Sequence, residues 1–327
     1  MILRRRDFIT LLGGAAACPL AARAQQAGMP VIGYLAGGTP DAGARITAAF
    51  RKALDEAGFF EGRSVTIEYR FANNEIDRLP ELAADLVRRR VAVIVASSID
   101  AARAAQAATT TIPIVFRTGS DPIEANLVAS LNRPGGNVTG INDMGSVLGA
   151  RRLGLLHEML PLATRFAFLV DPNSTTADPY IEDARAAAAA IGSQIEVFGA
   201  GTNGEIDSAF AAILQKRLDA LLVSSDVLFF TRRVQVVTLA TRHAVPTIYS
   251  YREAAEIGGL MSYGTSLADA SRLAGLYTAR ILKGEKPADL PVMRSTKFEF
   301  VINLQTARTL RIDVPPTLLA TADEVIE

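Results

Sequence analysis

The sequence predicts an α/β protein built from two doubly wound parallel-sheet lobes, and three observations carry that prediction. The chain has 327 residues, more than the ~250–300 over which a single hydrophobic core usually grows. Short apolar runs alternate with apolar positions at helical spacing, the pattern of a parallel sheet covered on both faces. The pattern also repeats. VAVIVASS (91–98), a helix and TIPIVF (111–116) come in the same order as DALLVSSD (219–226), a helix and AVPTIY (244–249).

The elements follow in order. Val31–Ala36 is an apolar run ending in Gly37-Gly38, a buried strand. Ile46, Ala49, Phe50, Ala53, Leu54 and Ala57 keep helical spacing, and Gly58 stops the helix. Val65, Ile67 and Tyr69 alternate as a strand, and Leu79, Leu82, Ala83, Leu86 and Val87 form a helix face. Val91–Ala96 is a strand, Ala101–Ala108 a helix and Ile112–Phe116 a strand. Residues 132–137 (NRPGGN) are a turn cluster. An extended segment, Val138–Asn142, and a helix near Val147–Leu160 come next. The second series has strands at Arg165–Val170, Ile195–Phe198, Leu221–Val223 and Thr247–Tyr249, with helices between them, one at Ala184–Ile191. Gly258–Tyr263 is extended and precedes a long helix to Leu282. Phe298–Ile302 adds a strand to the second lobe, and Val314-Pro315-Pro316 begins an irregular tail. The expected division is 30–141 plus 264–292 for one lobe and 142–263 plus 293–327 for the other. Three crossings join them, the third near Pro291–Lys297.

Residues 1–24 read as an export signal. Arg4, Arg5 and Arg6 precede a moderately apolar run, and Ala22-Arg23-Ala24 fits a small-x-small cleavage pattern, leaving Gln25 first. The Arg pair followed by Asp7-Phe8-Ile9 resembles a twin-arginine signal. Cys18 after three alanines admits a lipoprotein reading, but Ala15 stands where that pattern wants Leu. A membrane anchor ranks last, because Gly13, Gly14 and Pro19 interrupt a run too short to span. The expected location is the periplasm, with no stable membrane insertion. Four arginines and one aspartate leave with the signal, so the balance moves from 34 against 34 to 30 basic against 33 acidic side chains.

Composition closes several functions. Zero net charge argues against a nucleic-acid binder. One Cys and two His exclude a cysteine-rich zinc site or disulfide framework and weigh against a His-rich metal site. Cys18 leaves with the signal, which removes a thiol nucleophile. PGGN (134–137) lacks the GxGxxG spacing, and no GxxxxGK[ST] or GxSxG motif occurs, so no cofactor is expected.

Ligands of doubly wound sheets bind beyond the carboxyl ends of the strands, where helix N-termini favour anions. The strand ends therefore supply the candidates: Gly38, Thr39, Ser97, Ser98, Thr118 and Ser120 in the first lobe, and Asn173, Ser225, Asp226, Tyr249 and Tyr251 in the second. Tyr263 joins them at a crossing. Ser98 has an N-cap role open to it as well, and so does Asp226. Asp121, before Pro122, reads as a cap. Tyr249 and Tyr251 share one face of an extended segment by the two-residue period, and at least one of them belongs to the core. Asp226 is the candidate partner for a ligand ammonium, and Ser97-Ser98 with the helix amides the candidate site for a carboxylate.

The run DPIEANLVASLNRPGGNVTGIN (121–142) resembles the signature of the bacterial ABC-transporter substrate-binding proteins often labelled for tryptophan or tyrosine transport. The resemblance extends to IGYL (32–35), IPIVF (112–116), ILKGEKPADLPV (281–292), FEFVINLQTA (298–307) and VPPTLLATADEVIE (314–327). It implies the type I periplasmic-binding-protein fold and capture of a small organic ligand, such as an amino acid or aromatic acid, between the lobes. It further implies a monomer that delivers the ligand to an ABC permease and ATPase, with no chemistry of its own. A ligand-sensing subunit of a signalling receptor is the alternative, and an exported α/β hydrolase a lesser one.

Overall fold

The computed structural model describes residues 28–145 and 148–327. The expected export signal lies outside the described residues.

The first sheet has six parallel strands in the order β11-β5-β4-β3-β1-β2. These are β1 (Val31–Ala36), β2 (Thr66–Phe71), β3 (Val93–Ala96), β4 (Ile114–Thr118), β5 (Val138–Asn142) and β11 (Met293–Arg294). Successive side chains in a strand point to opposite faces, and the core divides accordingly. Leu35, Ile94 and Phe116 pack beneath α2 (Leu79–Arg88) and α3 (Ile99–Ala108). Ile32, Tyr34, Val95 and Val115 pack on the other side, against Phe50 and Leu54 of α1 (Ala44–Glu56) and Ala270, Ala274 and Tyr277 of α10 (Leu267–Leu282).

The second sheet has seven strands in the order β13-β12-β10-β9-β8-β6-β7, parallel except where β10 meets β12. They are β6 (Arg165–Val170), β7 (Gln194–Gly199), β8 (Ala220–Val223), β9 (Thr247–Tyr249), β10 (Met261–Thr265), β12 (Phe298–Asn303) and β13 (Glu324–Ile326). Phe166, Phe168 and Leu222 face α4 (Gly149–Met159) and α5 (Ala177–Ala190). Ala167, Leu169 and Leu221 face α6 (Asn203–Gln215) and α8 (Arg233–Arg242). The short helices α7 (Val227–Thr231) and α9 (Arg252–Glu256) follow β8 and β9, and α11 (Leu304–Thr309) and α12 (Pro316–Thr321) lie near the C-terminus. Among the described residues, no helix is long and apolar enough to cross a membrane.

The chain passes between the sheets three times: from β5 to α4, from β10 to α10 and from β11 to β12. Two expectations are corrected. Asn142 pairs with β4 in the first sheet, Gly264 and Thr265 pair with β12 in the second, and Met293 and Arg294 pair with β5 in the first, so the first cut shifts by one residue and the other two by two. A Cβ on Gly264 would lie 1.9 Å from the Ser250 carbonyl, so this end of β10 requires glycine. The expected irregular tail instead forms α12, opened by Pro316 at its first turn, and β13, which adds a strand parallel to β12.

Candidate functional site

A cavity of about 550 Å³ lies between the two lobes, lined by the carboxyl ends of strands from both sheets. Ten of the twelve sequence-derived candidates line it: Gly38, Thr39, Ser97, Ser98, Thr118, Ser120, Asn173, Ser225, Asp226 and Tyr251. Tyr249 and Tyr263 lie outside it. β9 stops at Tyr249, so the two-residue period breaks there. The Tyr249 ring packs in the core with Leu221 and Val237, while Tyr251 opens α9 and reaches the cavity. Tyr263 stacks on Phe298 at 6.4 Å and meets Phe300 edge-on at 6.2 Å, within the second lobe.

Ser98 caps α3, its hydroxyl accepting the Ala101 N–H at 3.2 Å. Ser97 offers its carbonyl to Arg117 Nη2 at 2.8 Å. The Thr118 hydroxyl accepts the Ser120 N–H at 3.1 Å, and Asp121 caps the turn beyond it, accepting from Ile123 and Glu124. In the second lobe, Asp171 accepts the Asn173 N–H at 2.9 Å.

Asp226 stands at the start of α7 but makes no side-chain cap. Its Oδ2 accepts the Asp171 N–H at 3.1 Å and the Ser224 hydroxyl, and the residue is 6% exposed. Burial raises its pKa above the ordinary carboxylate range. Burial likewise raises those of Asp100 and Asp171. Beside them, the Tyr180 phenol is pushed up to about 12, first by burial and then by the charge of Asp226. Tyr180 accepts from the Ser225 hydroxyl at 2.9 Å, and Tyr251 donates to the Ser225 carbonyl at 3.3 Å.

Sequence reading missed several lining residues. Arg117 and Asp143 form an ion pair of 2.9 Å at the base of the cavity, next to the first crossing. A cation inside the otherwise apolar run IVFRT was the available signal. Tyr180 lies in an alanine-rich helix and Phe230 in an apolar run, and neither stands out there. Phe230 meets Tyr251 edge-on at 5.6 Å; together with Tyr34, Ile46 and Leu267 they make part of the lining apolar. The charged lining is mostly acidic: Glu75, Asp77, Asp100, Asp143, Asp171 and Asp226 against Arg78 and Arg117. A ligand with a cationic group suits that balance.

The lobes touch across the cavity mouth. Arg45 pairs with Glu256 at 2.8 Å, Thr231 donates to Asn74 at 2.8 Å and Thr175 donates to Asp100 at 3.3 Å. A Cβ on Gly38 would lie 2.9 Å from Thr231 Cγ2 on the opposite lobe, so glycine permits this approach. These contacts describe a closed cleft.

Residues 39–326 match the family model described as ABC transporter substrate binding protein. The chain is 28% identical over 261 residues to a tyrosine-binding protein of Clostridioides difficile (strain R20291), covering 80% of this chain and 75% of that one. An ABC domain from Streptococcus pneumoniae, solved in complex with L-Trp, superposes with a TM-score of 0.83 at 27% identity, covering 91% of this chain and 99% of that one. A ligand-free, open substrate-binding protein with adhesive properties from Clostridium difficile matches with the same coverage and 25% identity, but a TM-score of 0.65. At nearly equal identity, the better match to the ligand complex agrees with the contacts across the cavity mouth.

Proposed function

Because the chain belongs to the ABC transporter substrate-binding protein family, we propose that its cleft captures a zwitterionic amino acid with an aromatic or apolar side chain. The observation that carries this reading is the mixed lining. Buried acids, one paired arginine and the first turn of α3 share one cavity with Tyr34, Phe230 and Tyr251. The relatives described above, one named for tyrosine and one holding L-Trp, point to the same class.

Asp226 holds the ligand ammonium. The first-turn amides of α3 after Ser97-Ser98, together with Arg117, hold the carboxylate, since a helix N-terminus and a guanidinium both favour an anion. Tyr251, Phe230 and Tyr34 line the side-chain end. Gly38, Thr39, Thr118, Ser120, Asn173 and Ser225 complete the wall. The protein binds without chemistry. It works as a periplasmic monomer, closes about its three crossings and presents the closed form to an ABC permease and ATPase. Closure follows from the ligand's higher affinity for the closed form.

A thermal-shift screen of the chain from Gln25 tests this. A ligand that binds only the native state at 100 times its Kd adds about 2.7 kcal/mol of stability. L-tyrosine, L-tryptophan and L-phenylalanine are expected to raise the melting temperature, and L-aspartate and ribose to leave it unchanged. A shift with none of the three aromatic amino acids would sink the reading.

A further inference from the structure

The first crossing carries a buried cation that has no acidic hydrogen-bond partner among the described residues. Arg152, in the first turn of α4, is 4% exposed. Its Nη2 donates to the Gly145 carbonyl at 3.2 Å, while among the described residues Nε and Nη1 have no hydrogen-bond partner. A desolvated guanidinium with unused donors costs stability, and an apolar side chain of similar volume would not carry that cost. Packing alone therefore does not account for an arginine here.

Gly145 connects Arg152 to the cleft. Its N–H donates to Asp143 Oδ1 at 3.3 Å, and Asp143 Oδ2 accepts from Arg117 Nη1 at 2.9 Å. Arg117 Nη2 then donates to the Ser97 carbonyl at 2.8 Å. The Asp143 carbonyl accepts from Thr265 at the second crossing, and the Asp143 N–H donates to the Thr118 carbonyl at 2.8 Å. One continuous chain of hydrogen bonds thus runs from α4 in the second lobe, through the 143–145 segment, to β4 and Ser97 in the first. Asp143 is 1% exposed, and in so dry a setting each bond is stronger than it would be in water.

We propose that Arg152 is a positioning residue for ligand binding. By holding the Gly145 carbonyl it anchors the backbone of Gly145, whose N–H donates to Asp143, and Asp143 in turn fixes Arg117 in its cleft-facing pose. The role in binding rests on the assignment of Arg117 to the ligand carboxylate; the hold on the 143–145 segment does not.

Arg152→Met tests both parts. In unliganded protein, hydrogen exchange at the Asp143 and Gly145 amides is expected to accelerate at least tenfold, with the melting temperature equal to or above wild type. The Kd for L-tyrosine is expected to weaken at least tenfold, and the preference for L-tyrosine over tyramine, which lacks the carboxylate, to shrink. Unchanged amide exchange overturns the proposal whatever the ligand turns out to be. Faster exchange with unchanged L-tyrosine affinity and unchanged preference overturns the positioning role. Failure of the wild type to bind L-tyrosine or L-tryptophan overturns the ligand assignment instead, and the exchange measurement still decides the hold on the crossing. Should Arg152→Met fail to fold, Arg152→Lys keeps the charge but loses the forked donor. Exchange faster than wild type is then expected, and wild-type exchange would overturn the proposal.

Discussion

Replacing Asp226 with asparagine separates charge from shape at the proposed ammonium site. Asp226 is 6% exposed, and its Oδ2 receives two protein hydrogen bonds, from the Asp171 N–H and the Ser224 hydroxyl. Alanine would orphan both donors, whereas asparagine leaves an oxygen in place, so the fold is expected to melt close to wild type. Removing one partner of a buried charge pair costs about 2–5 kcal/mol. At 1.4 kcal/mol per tenfold, that is a loss of about 30-fold to several thousand-fold in Kd. Calorimetry with L-tyrosine should find that loss. With 3-(4-hydroxyphenyl)propanoate, which lacks the ammonium, the change should be small. The pH dependence has a defined sign. Burial raises the pKa of Asp226, and a bound ammonium would lower it again. Binding therefore expels a proton wherever the free site is protonated, and affinity falls as pH drops through the raised pKa. Asp100 and Asp171 are raised too, so the difference between wild type and Asp226→Asn isolates this group. The same shift means that ionised Asp226 costs the unliganded fold stability above its folded pKa, a cost relieved on acidification. A Kd for L-tyrosine within twofold of wild type in a folded Asp226→Asn would refute the assignment.

Three further perturbations have expected outcomes. Gly38→Val places a side chain against Thr231 of the opposite lobe. It should weaken ligand binding at least tenfold and raise the scattering radius in saturating ligand, with little effect on the melting curve; wild-type affinity would mean that the lobes do not close there. Ser98→Ala removes the α3 cap and should cost about 1 kcal/mol in denaturant unfolding, whereas an unchanged midpoint would show the cap to be idle. Arg45→Ala removes a largely exposed bridge to Glu256 and should speed ligand dissociation by no more than a few-fold, an effect that high salt erases; a dissociation rate equal to wild type in low salt would remove the bridge from the closure.

The strands were legible because buried parallel strands are short apolar runs with sharp ends. Val31–Ala36 and Arg165–Val170 appear with the expected bounds. The Ser pairs at 97–98 and 224–225 mark equivalent strand ends, and Ser97, Ser98 and Ser225 reach the cavity as that equivalence implies. The errors have local causes. Strand period puts Tyr249 and Tyr251 on one face, but the strand ends between them. The two prolines of the C-terminal segment mask a helix start, and its strand exists only by pairing with β12. Tyr180, Phe230 and Arg152 left no local mark. Their positions follow from how helices pack on the second sheet, which a single sequence does not encode in any short pattern.

The chain contains no tryptophan, so L-tryptophan added to it is the only indole in solution. Titrating the protein from Gln25 into L-tryptophan, with excitation selective for indole, reports directly on entry into the cleft. A blue-shifted emission and a raised anisotropy that saturate at a single site are expected, both lost in Asp226→Asn. Emission that stays at the position of indole in water, with the anisotropy of the free amino acid at every protein concentration, would contradict the proposed binding.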